Sequence, residues 1–159
     1  MSSSARNVSR VIAMLCSLTL VALLSSVASA QEFAKATAAN AKQFVGTWKA
    51  NFQGHPFLTV TLAIEANKFV GTVSHVDIEV NKDGELTKAD PNEGEDSIAD
   101  LRVAGDTLRI TVKSSDGSED SIQSELRLVS TNEADFRLLV PPDVPAPKPW
   151  RLQRVAATP

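Results

Sequence analysis

Few side chains of this sequence have the type and spacing for acid–base chemistry. His75 lies two residues before Asp77, so both would share one face of a strand, and an imidazole oriented by a carboxylate can act as a general base. His55 stands alone before Pro56 in a turn. After residue 30 the chain has no cysteine nucleophile and no His-x-x-x-His pair. A solvated surface pair is the simpler interpretation, and a small enzyme of the isomerase or cyclase type is kept as an alternative.

Oxygen-bearing side chains are denser between residues 79 and 90. The potential ligands are Glu79, Asn81, Asp83, Glu85 through its carbonyl, and Asp90 at the closing position. With Gly84 at the sharp turn, their spacing resembles the calcium loop of EF-hands. However, the first ligand position is Glu where an EF-hand has Asp, and Pro91 directly follows the last ligand position. A predicted strand also precedes the segment where an EF-hand has a helix. An acidic solvated loop without cofactor is therefore favoured, and calcium binding at about 10⁻⁴–10⁻³ M is the alternative.

Residues 1–30 are typical of a secretory signal peptide. Arg6 and Arg10 precede an apolar stretch at residues 11–24, and Ala28, Ser29 and Ala30 provide the small side chains of a cleavage site before Gln31. The apolar stretch is short for a membrane span of ~20 residues. Cys16 lies inside it and lacks the small preceding residues of a lipoprotein site. We expect an exported protein, periplasmic or extracellular, that keeps no membrane anchor after cleavage, and an uncleaved anchor is the alternative.

The composition of the remaining chain excludes some partners. Residues 1–30 contain two arginines and no acidic residue, so residues 31–159 carry 14 basic and 19 acidic side chains, a net charge of −5. An acidic chain without a basic patch is a poor ligand for nucleic acid or for an anionic membrane. With no cysteine in this part, stability must come from a packed core, and the length fits one domain.

The dominant pattern after residue 43 is alternation of apolar and polar residues, which predicts strands with one buried face. The predicted strands are 44–52, 57–65, 69–80, 98–103, 107–113, 122–129, 134–140 and 150–155. Residues 31–43 are alanine-rich and predict a short helix. Residues 81–96 are predicted as a solvated loop, 141–149 with five prolines as an extended connection, and 156–159 as a frayed tail.

This arrangement predicts an all-β fold. Short connections make neighbours in sequence neighbours in the sheet, and closure removes exposed sheet edges. We therefore expect one antiparallel up-and-down β-barrel of about eight strands over residues 44–155.

Gly46, Thr47 and Trp48 on the first strand resemble the Gly-x-Trp signature of the calycins, a group that includes the lipocalins, fatty-acid-binding proteins and avidins. The resemblance implies a lipocalin-like barrel in which Trp48 closes one end and an arginine of the last strand, Arg154, lies over its ring. The first three strands are most similar to avidin, but the chain has no tyrosine and only one further tryptophan, so biotin binding is not implied.

The function that this fold suggests is non-enzymatic binding of a small or apolar molecule inside the barrel. The residues expected to line the site are Trp48, Phe52, Leu58, Val60, Leu62, Leu108, Ile110, Leu126 and Leu128. One alternative is a protein-binding module, such as an inhibitor of an envelope protease or a lysozyme, which would act through its loops and have a filled interior.

Overall fold

The computed structural model describes residues 32–113 and 121–156, apart from the side chains of residues 75, 92 and 93. The predicted signal peptide and residues 157–159 lie outside this part. The nine strands are β1 (Ala34–Lys35), β2 (Gly46–Phe52), β3 (His55–Glu65), β4 (Lys68–Val80), β5 (Leu86–Ala104), β6 (Thr107–Lys113), β7 (Ser121–Leu128), β8 (Glu133–Leu139) and β9 (Trp150–Val155). Within the described ranges, no helix is long and apolar enough to cross a membrane.

Strands β2 to β9 form a closed antiparallel barrel. Each strand pairs with the next, and β9 pairs back onto β2, where Trp48 lies opposite Arg154. The short strand β1 pairs with β5 at Ala34 and Val103, outside this ring of eight. The prediction of an eight-stranded up-and-down barrel is thereby confirmed, and the architecture is consistent with a lipocalin-like fold.

The predicted helix at residues 31–43 is absent from the described residues of that segment, which contain β1, a turn and a single 3₁₀ turn at Lys42–Phe44. The backbone N–H of Thr37 donates to Oδ1 of Asn40 over 2.7 Å, and the Asn40 amide donates to the carbonyl of Lys35 over 3.1 Å. Such side-chain bonds to the backbone compete with helical hydrogen bonds. The segment therefore has an irregular backbone, and its Ala41 and Phe44 side chains are fully buried in the core.

The predicted loop at residues 81–96 is also wrong for most of its length, because β5 begins at Leu86 and pairs with β4. Leu86 and Ala89 pack against the core, whereas the opposite face is charged. There, the Lys88 ammonium lies 2.7 Å from Asp90 and 3.6 Å from Glu79. In a ribbon of two strands only one face packs on the core, and here that face has few apolar residues. The composition of residues 81–96 therefore resembles that of a loop.

One end of the barrel is closed by the indole of Trp48 and the guanidinium of Arg154. The guanidinium carbon lies 4.3 Å from the centre of the indole ring. Its two terminal nitrogens donate to the carbonyls of Val45 and Gln43 over 3.0 and 2.6 Å. The indole N–H donates to the Phe44 carbonyl over 2.9 Å, so the 3₁₀ turn, the first strand and the last strand are joined at one place.

Burial lowers the pKa of the Arg154 guanidinium from its ordinary value, yet an arginine stays charged at neutral pH. The charge is therefore held over an aromatic face with two carbonyl acceptors. This is the pairing that the calycin resemblance implies.

Replacing Arg154 by alanine should destabilise the protein by about 2–4 kcal/mol, because it removes a cation–π contact and two charge-assisted hydrogen bonds. Arg151→Ala is the matched control: Arg151 is on the same strand, but its ion pairs with Asp135 and Glu133 are half exposed. It should cost less than about 1 kcal/mol. Urea denaturation measures both, and equal losses would contradict the role given to Arg154.

Candidate functional site

A cavity of about 410 Å³ lies at the end of the barrel opposite Trp48 and Arg154. Most of its walls are apolar side chains from the strand ends at this side. The lining residues include Leu58, Val73, Val76, Ile78, Val112, Ile122, Phe136, Leu138 and Trp150, with Ser74, Ser124, Asp77, Asp96 and Lys113 as the polar members. This size falls in the range of small-molecule sites, which extends from about 300 to 1,000 Å³.

Aromatic side chains fix one wall of the cavity. Trp150 stacks on Phe136 across β8 and β9 with ring centres 6.0 Å apart and an interplanar angle of 10°. Phe57 meets the same indole edge-on at 5.3 Å. Among the described residues the buried indole nitrogen of Trp150 has no hydrogen-bond partner, so its ring is held by packing and not by a hydrogen bond of the indole N–H.

Polar groups are few within the cavity and are placed at different depths. Ser124 is only 3% exposed, in the middle of β7. Asp96 lies opposite Val73 in the β4–β5 pairing, so it shares the inward face of that wall. Lys113 ends β6 at the rim. An apolar chamber with a few polar groups suits a molecule with an apolar body and a polar end.

Of the nine residues predicted to line a ligand site, the structure places Leu58 at the cavity. Trp48, Val60, Leu62, Leu108, Ile110 and Leu126 are almost fully buried elsewhere in the core, and Phe52 and Leu128 are half-buried. Alternation along a strand identifies the inward face, but it does not give the height of a residue within the barrel. Six of the nine predicted residues therefore belong to the filled part of the interior.

The residues that were missed share a recognisable signal. Four of them lie within a few residues of a strand end that adjoins a long connection. Val76 is near the turn between β4 and β5, Ile122 follows the connection after Lys113, and Leu138 and Trp150 flank the proline-rich connection. These are the longest connections between consecutive strands of the barrel, β2 to β9. Inward positions beside the long connections would have pointed to this end of the barrel.

The predicted calcium ligands do not converge in the structure. Asn81 Oδ1 already accepts the backbone N–H groups of Asp83 and Glu85, each over 2.9 Å. The Glu85 carboxylate meets the Lys148 ammonium at 2.9 Å, and this hydrogen bond is the main cause of the lowered pKa of Glu85. No group of three or more acidic or histidine side chains in the described ranges is placed to hold a metal ion. Calcium binding stays a prediction, and this geometry does not favour it.

The residues of the enzyme hypothesis are only partly located. Asp77 lines the cavity, whereas the side chain of His75 is outside the described part of the structure. His55 is exposed at the start of β3. The enzyme alternative therefore stays a prediction.

The chain matches no known family model, no curated protein and no solved structure.

Calcium should leave the thermal stability unchanged, because Glu79 and Asp90 already form ion pairs with Lys88 and the potential ligands do not converge. A site with a dissociation constant of about 1 mM would stabilise the fold by about 1.4 kcal/mol at 10 mM calcium, which melting curves resolve. Magnesium at the same concentration is the control for ionic strength. A saturable rise in Tm that is specific to calcium and lost in Asp90→Asn would restore the EF-hand-like interpretation.

Proposed function

We propose that this protein is an exported, calycin-like barrel that binds a small apolar or amphipathic molecule without transforming it. The observation that carries the proposal is the 410 Å³ cavity at one end of the barrel. Its walls are mainly aliphatic and aromatic, and the release of water from such surfaces on ligand binding is favourable. The few polar groups at the cavity would orient the polar end of the ligand.

The distribution of packing along the barrel supports the same conclusion. The closed end is filled by fully buried side chains, among them Trp48, Leu108, Ile110 and Leu126. A barrel that needed only stability would gain by filling its other end in the same way, since unfilled space costs stability. The open volume is therefore best explained by an occupant. It also favours ligand binding over the alternative of an inhibitor with a filled interior.

We propose the calycin assignment from the contacts at the closed end of the barrel. Trp48 and Arg154 stack across the β2–β9 seam, and the 3₁₀ turn Lys42–Phe44 precedes the first barrel strand. Gly46 has a φ of 133°, a backbone conformation that favours glycine, and a Cβ atom added there would be in van der Waals contact with the Arg154 side chain at 3.5 Å. The glycine, the tryptophan and the arginine thus act together, as the Gly-x-Trp resemblance implies.

The two tryptophans allow the proposed site to be tested by contact quenching. Trp150 lines the cavity, and Trp48 is fully buried at the other end. A bromoalkyl alcohol that enters the cavity should quench the emission of a Trp48→Phe variant, in which Trp150 remains, in a saturable way. It should leave the emission of a Trp150→Phe variant, in which Trp48 remains, unchanged. Absence of saturable quenching in both variants would contradict ligand binding at this cavity.

Export is tested by the mass of the protein itself. Native mass spectrometry of the protein from the exported fraction should show a chain beginning at Gln31, as expected for cleavage after Ala30. The same spectrum would reveal a co-purified small molecule as an added mass that denaturation removes. An intact chain that still begins at Met1, or one confined to the cytoplasm, would contradict the proposed localisation.

A further inference from the structure

The hairpin formed by β4 and β5 reaches across the open end of the barrel. In the ring of eight strands, β4 and β5 lie diametrically opposite β8 and β9. Nevertheless, the hairpin tip at Gly84 and Glu85 touches the segment just before β9, at Ala146 and Lys148. Lys148 is only two residues from the start of β9, so the contact lies at the β8–β9 side of the rim. The hairpin of β4 and β5 therefore spans the opening of the barrel.

The ribbon is long enough for this span. Residues 74–80 of β4 pair with β5 only, beyond the last pairing of β4 with β3 at Val73. Seven extended residues cover roughly 23 Å at ~3.3 Å each. Val76 and Ile78 on this ribbon line the cavity, and Leu86 and Ala89 pack against the core. The apolar face of the ribbon therefore forms the roof of the proposed site.

Three contacts hold the tip in place. The Lys148 N–H donates to the Gly84 carbonyl over 2.7 Å, and the Lys148 ammonium meets Glu85 at 2.9 Å. Gly84 also packs so closely that a Cβ atom there would lie 2.5 Å from the Ala146 carbonyl oxygen. The ion pair is more than half exposed on both sides, so it contributes little to stability. A two-stranded ribbon is itself only marginally stable, and such elements open locally before the rest of a fold.

We propose that residues 74–95, here named the mouth strap, gate the cavity: docking of Gly84 and Glu85 on Ala146 and Lys148 closes it, and release of the tip admits and discharges the ligand. The ligand part of this inference rests on the proposed function. Opening of the mouth strap, however, is a property of the fold and can be measured without any ligand.

A single thiol in the cavity measures the opening. Ser124 is buried and lines the cavity, and Cys16 is the only cysteine of the chain, so a Ser124→Cys, Cys16→Ser protein carries one thiol beneath the mouth strap. Its rate of reaction with a water-soluble disulfide reagent reports access to the cavity. Gly84→Ala in this background should push the tip away from Ala146 and raise the rate about tenfold or more.

Gly54→Ala is a matched control for backbone strain. Gly54 and Gly84 have similar positive φ angles, 84° and 75°, so alanine is strained at both positions. At Gly54, however, nothing lies within 4 Å of an added Cβ atom. Its thiol rate should stay within about twofold of the parent, because only the general cost of a left-handed alanine is added. Equal rates in all three proteins, or equal increases in both variants, would overturn the gate.

A second variant guards against misfolding of Gly84→Ala. Glu85→Lys replaces the ion pair with Lys148 by repulsion and should also raise the thiol rate, whereas Glu133→Lys, at an exposed pair with Arg151, should not. Equal thiol rates in Glu85→Lys and Glu133→Lys would show that the ion pair of Glu85 with Lys148 has no role in closing the cavity.

Binding kinetics separate the gate from the proposed function. The neutral probe N-phenyl-1-naphthylamine should bind and leave Gly84→Ala faster than Gly54→Ala. Unchanged probe rates in a protein whose thiol rate has risen would show that the mouth strap opens but does not gate the site, which overturns the proposal. Failure of the probe to bind the parent protein would count against the proposed function, while the thiol rates would still decide whether the strap opens.

Discussion

The fold depends on the contact that joins its two chain ends. Arg154, near the end of the last strand, lies over the indole of Trp48 on the first strand and bonds to the carbonyls of Gln43 and Val45 that lead into it. Strand pairing alone would bring β2 and β9 together, but the guanidinium fixes the register and caps the interior at the same time. A meander whose first and last strands stayed apart would leave two open edges, which are prone to pair with other chains.

This closure divides the interior into two parts. At the Trp48 end, the interior is occupied by fully buried aliphatic side chains and by Phe44 of the 3₁₀ turn. At the Trp150 end, the strands diverge into longer connections, and the space between them forms the cavity under the mouth strap. Under the proposed function, stability and ligand binding lie at opposite ends of the barrel, and the proposed opening of the mouth strap would leave the β2–β9 seam intact.

The sequence predicts the barrel well because strand alternation is a local property. The period of two over residues 44–52 and 107–113 directly reflects the inward and outward faces of β2 and β6. The Trp48–Arg154 pair was predicted from the resemblance of a short motif on the first strand to the Gly-x-Trp signature. The helix at residues 31–43 was wrong because Asn40 bonds locally to Lys35 and because β1 pairs with β5, far along the chain. The loop at 81–96 was wrong because β5 packs on the core through only a few residues, such as Leu86.

The site was harder to predict than the fold, because a ligand site in a barrel is defined by height as well as by face. Leu108 and Leu126 point inward as expected but lie in the filled part, whereas Ile122 and Leu138 on β7 and β8 line the cavity. Whether a given inward residue borders empty space depends on which side chains of the other strands lie at the same level. Sequence periodicity contains no record of that level, since it is set by the stagger of all eight strands.

Methyl-group NMR with a titrated medium-chain alcohol tests the central claim most directly, because it reports each part of the interior separately. Binding in the cavity predicts saturable shifts of the methyl signals of Val76, Ile78, Ile122 and Leu138, with the signals of Val60, Leu62 and Ile110 nearly unchanged. No saturable shift in the first group, or shifts of equal size in both groups, would contradict a ligand site at the open end of the barrel.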